Sequence, residues 1–440
     1  MKSEYEANSI TLLGGISMGT GVMIGAGIFA LTGQIAELAG PAFPLSFIAG
    51  AVVTAFSAYT YIKMSNAYPS AGGIGMILQK AYGPGAVAAA ASLLMAFSMV
   101  INESLVARTF GTYVLRPFDV PNDTILVPIL GVALIVFAYV VNISGNRSVG
   151  LFSLVMAFLK IGGIAFFGIA ALWASGFSFA DIAAPQKDIP ITGFVASVAL
   201  SILAFKGFTT ITNSGAEIID PHKNVGRSII ISIAICAVVY LVVAYAVGSS
   251  LSIEQIVAAK DYSLAKAAEP FLGTYGFYGT IALAIVATAS GLLASVFAVS
   301  RMLAMLTDMK MIPHRHFGMP GPIKDHTLVY TVVVAAILTI FFDLSRIASL
   351  GAFFYLVMDI LIHLGVFLHL RHDVGAKRWV LLSAIALDSV ILGAFTALKL
   401  ESDPLILIIA VVGITTIFIL ERLYLPRWIG QRGHDEHQQH

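Results

Sequence analysis

The sequence predicts an all-α membrane protein of twelve transmembrane helices, and three observations carry that reading. Of its 440 residues, 58% are hydrophobic and only 11% charged, with a mean hydropathy of +0.91, a balance foreign to soluble domains. The apolar residues fall in runs of about 20, the length that crosses a hydrocarbon core as a helix. Two of those runs, the first and the sixth, are interrupted near their middles by glycine.

Gly, Pro and charge breaks divide the chain into spans at 10–38, 43–66, 83–115, 124–143, 148–175, 193–216, 226–250, 273–307, 327–342, 346–370, 377–398 and 404–425. Residues 10–175 and 193–370 form two five-span halves, and 377–425 adds two helices. The stretch 252–270 is short and amphipathic and reads as a surface helix. An even number of spans puts both termini on one side. Basic residues such as Lys2, Lys63, Lys80, Arg147, Lys223, Arg227, Arg315, Lys324 and Arg378 crowd that side, against Arg116, Lys187, Lys260, Lys266, Arg346 and Lys399 opposite. The bias predicts cytoplasmic termini and a multi-pass protein of the cell (plasma) membrane. Acidic residues, among them Asp119, Asp123, Asp181 and Asp188, gather in the opposite loops. Residues 1–9 are a polar cytoplasmic segment without a cleavable signal pattern. Residues 426–440 form a cytoplasmic tail whose end, 434-HDEHQQH-440, reads as disordered, with weak metal binding by its histidines as the alternative.

Composition also excludes. The lone Cys236 lies in an apolar run, so there is neither a disulfide framework nor a cysteine metal site. A net charge of +1 gives nucleic acid nothing to bind. No G-x-S-x-G, H-E-x-x-H or P-loop signature supports an enzyme, no ring of charge supports a channel, and no cofactor is implied.

Chemistry gathers at three places. Lys160 stands inside 149-VGLFSLVMAFLKIGGIAFFGIAALW-173, too far from either end to snorkel. An intramembrane ammonium costs about 3 kcal/mol or more, and such residues face a bundle interior and serve transport or proton relay. The first span, 11-TLLGGISMGTGVMIGAGIFALTG-33, breaks around Gly25 and Gly27. The sixth, 199-ALSILAFKGFTTITNSGAEI-218, breaks around Gly207. Interrupted helices at matching positions of two halves point to a transporter's central site, because freed backbone groups are tolerated only where they line a cavity. Amides at 24-IGAGIF-29 suit a carboxylate, and carbonyls freed on span six suit an ammonium. Gly15 and Gly19 read instead as small-residue packing contacts.

With these residues the chain resembles the amino acid/polyamine/organocation permeases from about Ile10 to Pro426. The carrying motifs are 24-IGAGIFAL-31, 69-PSAGG-73, 207-GFTTITNSGAEIIDPHKNVGRSI-229 and 283-LAIVATASGLLASVFAVSRML-303. The resemblance implies a five-plus-five inverted-repeat (LeuT-like) core with two extra C-terminal helices, and alternating-access transport of an amino acid or related amine. By the same resemblance, backbone at Ile24, Gly25, Ala26, Gly27 and Ile28 holds the substrate carboxylate. The break at Phe205, Lys206, Gly207 and Phe208, with Thr209, holds its amine and side chain. Lys160 matches a fifth-span lysine whose ammonium replaces the sodium ion of sodium-coupled relatives, with carbonyls of Gly19 to Val22 and the Ser290 hydroxyl as neighbours. Protons are then the coupling ion of a symporter. In an exchanger, the alternative, the ammonium only replaces sodium structurally.

Several charges depart from that pattern. Lys206 occupies a position that is usually apolar in the family. It pairs with Glu103 of span three, or meets an anionic substrate, or faces water. Glu103 alone points the other way, to a cationic or amine substrate, which leaves a zwitterion with an uncharged side chain as the reading. Asp359 and His363 sit at i,i+4 on span ten, as a local hydrogen bond or a proton relay, with too few ligands nearby for a metal. Asp388 of span eleven lies outside the expected core, as a contact between the two extra helices or an oligomer interface, and receives no chemistry. Glu217 follows the sixth-span break, either in a gating or packing role or as a substrate contact.

Overall fold

A computed structural model of the chain describes residues 9–70, 72–118, 120–121, 124–143, 146–174, 176, 191–312 and 323–437. Residues 1–8, Ala71 of the 69-PSAGG-73 motif, Asp119, Asp123, the loop bearing Asp181, Lys187 and Asp188, Arg315 and residues 438–440 lie outside the described residues. So do the side chains of Ala26, Arg147, Lys324 and the tail histidines.

The described residues are helical apart from short connections. The first span is three pieces, α1 (Leu12–Met23), α2 (Ala26–Phe29) and α3 (Leu31–Ala39). Then come α4 (Phe43–Ala67), α5 (Gly73–Tyr82), α6 (Ala86–Leu115), α7 (Leu126–Ile143) and α8 (Asn146–Ala174). The sixth span is α9 (Ile191–Phe205), a 3-10 turn Lys206–Phe208 and α10 (Thr209–Asn213). It is followed by α11 (Pro221–Ser250), α12 (Ile253–Ala258), α13 (Ser263–Asp308), α14 (Ile323–Phe341), α15 (Leu344–Gly365), α16 (Arg378–Ser402) and α17 (Pro404–His437).

Local chemistry sets many of these ends. Thr11 caps α1 by accepting from Gly14 N–H, and Ser252 with Gln255 forms a reciprocal capping box on α12. Proline stands at the first turn of α4 and α11, where its missing N–H has no partner to lose. Inside α13, Gly273 takes φ +60° and ψ −155°, which divides a helix that starts in the surface stretch from the eighth span. The tail is a correction: α17 continues to His437, so the stretch read as disordered from His434 is helical up to that residue.

Among the described residues, ten helical stretches are long and apolar enough to cross a membrane, and two shorter ones, Leu159–Ala174 and Asp325–Phe341, are apolar as well. Helix faces turned inward carry Thr, Ser and small residues. Faces turned outward carry Ile, Val, Leu and Phe at high exposure, such as Ile129, Val140, Ile408 and Val412, as lipid contact requires. Helix α4 packs along α9 and α11, α6 along α13 and α15, and α1 along α11. These contacts enclose both broken helices at the centre.

Candidate functional site

The first break lies between Met23 and Ala26. Ile24 leaves helical backbone (φ −80°, ψ 79°), and Gly25 N–H turns back to Met23 O at 3.0 Å. The ladder restarts when Gly25 O accepts from Ile28 and Phe29 N–H at 3.3 and 3.2 Å. The amides of Ala26 and Gly27 head the new helix, where no preceding turn supplies a carbonyl. The second break is the tight turn Lys206–Phe208, whose Lys206 O accepts from Thr209 Oγ1 at 2.9 Å.

The two breaks are pressed together. A Cβ on Gly207 would stand 2.7 Å from Met23 Cγ and 2.8 Å from Met23 N, and one on Gly27 would stand 3.1 Å from Ala204 Cα and O. Only glycine permits that approach. Of the expected site residues, Gly27, Lys206, Gly207 and Thr209 line one space between the breaks, while Ile24, Gly25, Ile28, Phe205 and Phe208 are not among its lining residues. A cavity of about 20 Å³ opens there, lined by Val22, Gly27, Lys206, Gly207 and Thr209, with Ser295 of α13. It has room for about one water, so in this conformation the breaks close on each other.

Two tyrosines that the sequence reading passed over satisfy the freed backbone. Tyr240 Oη of α11 donates to Met23 O at 2.5 Å and lies 3.1 Å from Ala204 O. Tyr113 Oη of α6 donates to Phe29 O at 3.2 Å. Buried carbonyls released by a break need donors, which signals that such residues exist without saying which they are.

Lys160 is buried, and its Nζ donates to Gly21 O at 2.6 Å. That carbonyl falls within the Gly19 to Val22 stretch named for it. The other named neighbours have contacts of their own. The Ser290 hydroxyl donates to Ala287 O of its own helix at 3.2 Å. Gly19 packs against Ile211 and Ser232, where a Cβ would approach to 2.5 and 2.9 Å. Gly15 packs likewise, where a Cβ would stand 2.7 Å from Ser228 Oγ.

Lys206 and Glu103 do not pair. Lys206 Nζ donates to Ser98 O at 2.7 Å and bonds Ser98 Oγ at 3.0 Å, with its ammonium 5.9 Å from the centre of the Tyr355 ring. Glu103, fully buried, accepts from Ser295 Oγ at 3.2 Å, and its Oε2 has no hydrogen-bond partner among the described residues. Five residues on α6 separate Ser98 from Glu103, about 7.5 Å along the axis and about 140° around it. A lysine anchored at one therefore misses the other.

Span ten requires a second correction. His363 Nε2 lies 3.5 Å from Asp359 Oδ2, too long for the expected local hydrogen bond. Asp359 instead accepts from Tyr61 Oη at 2.5 Å and Ser57 Oγ at 2.7 Å, both on α4. Asp388, assigned nothing, brings its Oδ2 to 3.5 Å from the same His363 Nε2. Asp359, His363 and Asp388 thus supply three groups able to hold a metal ion.

Polar contacts link separate elements at both ends of the bundle. At the end carrying Ile10, its N–H donates to Glu217 O at 2.8 Å, and Glu217 Oε1 lies 3.6 Å from Arg301 Nη2. Burial lifts the Glu217 carboxyl above the ordinary range, and Arg301 pulls the other way. At the opposite end Lys260 Nζ meets Glu37 Oε1 at 2.7 Å, and Gln34 Nε2 donates to Asp261 Oδ1 at 2.8 Å. Burial also raises the Asp261 carboxyl, with Lys260 opposing.

Comparison with known proteins agrees with this architecture. Residues 10–426 match the family model described as amino acid permease. An uncharacterized protein of Methanocaldococcus jannaschii, MJ0609, is 29% identical over 398 residues, covering 90% of this chain and 89% of the relative. The inner membrane transport protein YbaT of Escherichia coli is 27% identical, covering 83% of this chain and 85% of its own. The serine/threonine exchanger SteT of Bacillus subtilis is 21% identical, covering 84% and 85%. A match spanning nearly the whole chain, including both broken helices, makes this multi-pass membrane protein a member of the amino acid permease family, within the amino acid/polyamine/organocation superfamily.

Proposed function

We propose that the chain is a secondary active transporter that imports amino acids by alternating access. In this reading it spans the plasma membrane twelve times, its two five-span halves are inverted repeats, and both termini are cytoplasmic. The observation that carries it is the meeting of two interrupted helices at Gly207 and Met23 beside a central cavity. Amides at the first break receive the substrate carboxylate, and carbonyls at the second receive its ammonium. Because the breaks are closed on each other, loading requires them to separate, which is the motion alternating access supplies.

Substrate side-chain charge follows from Lys206. Its ammonium already has two partners on Ser98, so it needs no substrate anion, and an uncharged side chain fits best. The name of the relative SteT, a serine/threonine exchanger, is in keeping with that.

Proton symport is our reading of the coupling. Lys160 is buried, with one carbonyl partner among the described residues, a setting in which an ammonium exchanges its proton when the site opens to water. Exchange is the second reading, favoured by the same 2.6 Å bond to Gly21, since a lysine that never releases its proton simply braces α1. The test is uptake of a labelled amino acid panel by sodium-free proteoliposomes under an inward proton gradient, comparing wild type with Lys160→Ala. Accumulation lost in the variant supports symport, whereas uptake only into preloaded vesicles leaves an exchanger.

A further inference from the structure

Asp359 and His363 of α15 and Asp388 of α16 are each fully buried. One ligand atom from each lies within 4.8 Å of the other two. The second observation is that these groups lack hydrogen bonds: both ring nitrogens of His363 and both carboxylate oxygens of Asp388 have no hydrogen-bond partner among the described residues. Buried polar atoms of this kind call for an occupant. No lysine or arginine among the described residues reaches either carboxylate; His363 is the one basic group within 4 Å. Two carboxylates in a dry site need positive charge beyond what one imidazole provides.

Protons alone supply that charge poorly. A protonated Asp388 donates its O–H at hydrogen-bond distance, and nothing stands at that distance. The spacing fits a metal better. Ligands bonded at about 2.1 Å to a tetrahedral ion lie roughly 3.4 Å apart, and His363 Nε2 is 3.5 Å from Oδ2 of each aspartate. Tyr61 and Ser57 hold the Asp359 carboxylate from behind, the outer-shell support that orients metal ligands. Asp, Asp and neutral His are hard-to-borderline donors suited to a divalent first-row ion, and together with it they sum to zero charge.

We propose that Asp359, His363 and Asp388 form a structural site for one divalent transition-metal ion of the zinc or manganese kind. The ion joins α15 to α16 and, through Asp359 and Tyr61, reaches α4. Tyr61 stacks edge-on against Phe208 at 5.2 Å, so the site also braces the residue behind the second break. This is separate from the transport reading and from Lys160.

The test uses full-length protein purified after growth with zinc and manganese. His434, His437 and His440 are changed to glutamine so that the tail contributes nothing. Mass spectrometry of the metal content is expected to find about one ion per chain, falling about tenfold or more in His363→Gln and in Asp388→Asn. In parallel, EDTA is expected to lower the Tm of the protein with an intact cluster, and zinc or manganese chloride alone to restore it. That arm needs no substitution in the cluster, so a variant that fails to fold does not silence the test. Metal-free protein whose Tm ignores EDTA and both ions overturns the proposal and leaves protons as the neutralising charge. Metal that vanishes with the tail histidines alone overturns it too.

Discussion

Tyr240 and Met23 are joined by a 2.5 Å hydrogen bond from the phenol to the last carbonyl of α1. The same hydroxyl lies 3.1 Å from Ala204 O, so one side chain of α11 holds both broken helices at the point where each loses its ladder. Its ring is fixed by Phe205 and Phe47, with centroids at 4.9 and 5.7 Å. Tyr240→Phe keeps that ring and removes only the donor. Met23 O then keeps only the 3.0 Å bond from Gly25 N–H, and the lost hydrogen bond is worth about 0.5–1.5 kcal/mol. We expect a Tm lower by several degrees and weaker substrate affinity. Unchanged values for both would show that Gly25 N–H alone suffices for Met23 O.

Lys206→Met tests the substrate class. Its ammonium is engaged by Ser98, so uptake of neutral amino acids should survive in the variant within about tenfold, an affinity change of about 1.4 kcal/mol. Competition by glutamate and aspartate should be equally poor in both proteins. Acidic competitors that inhibit wild type strongly and the variant weakly would put Lys206 on the substrate instead.

Gly33 packs against the Lys260 backbone at the end opposite Ile10. A Cβ there would fall 2.2 Å from Lys260 O, against backbone that cannot rotate away. Gly33→Ala should therefore push α3 off the segment before α13 and expose Ser263, which is fully buried. Maleimide labelling of a Ser263→Cys reporter, with Cys236 replaced by serine, should rise in the alanine background. Equal labelling in both backgrounds would mean that the contact is not a closure.

Asp261 makes that closure sensitive to pH. Burial holds its carboxyl above the ordinary range. An acid raised in the folded state contributes stability fully below its unfolded pKa and loses it as pH rises through the folded one. The contact should therefore tighten on acidification. Asp261→Asn keeps an oxygen for Gln34 Nε2 and cannot ionise. Its Tm should match wild type in acid and exceed it at neutral pH and above. A difference between the two that stays constant with pH would disprove the linkage.

At the other end, Glu217→Gln removes the attraction to Arg301 at 3.6 Å. A half-buried pair this long is worth about 1 kcal/mol or less, so stability should barely move. Efflux from preloaded vesicles, which requires that end to open, should become faster. A slower efflux would assign Glu217 to packing.

The apolar helical character of the chain, the two breaks and the burial of Lys160 were legible in the sequence, whereas the helix α5 (Gly73–Tyr82) falls between two expected spans. Apolar run length measures a bilayer, and glycines such as Gly25 and Gly207 are conspicuous inside such runs. Four other relationships were not: Tyr240 on Met23 O, Lys206 on Ser98 instead of Glu103, Ser290 turned to its own helix, and Asp388 beside His363. Each depends on how one helix is rotated and raised against another. In a membrane, most faces are apolar, so hydrophobic periodicity hardly constrains that rotation. Composition and spacing therefore determined which helices exist, where two of them fail and which charges are buried. Tertiary packing alone decided the partners of those charges, because neighbours in space come from interlocked shapes such as Gly207 on Met23 and Gly27 on Ala204, and residue order does not encode them directly.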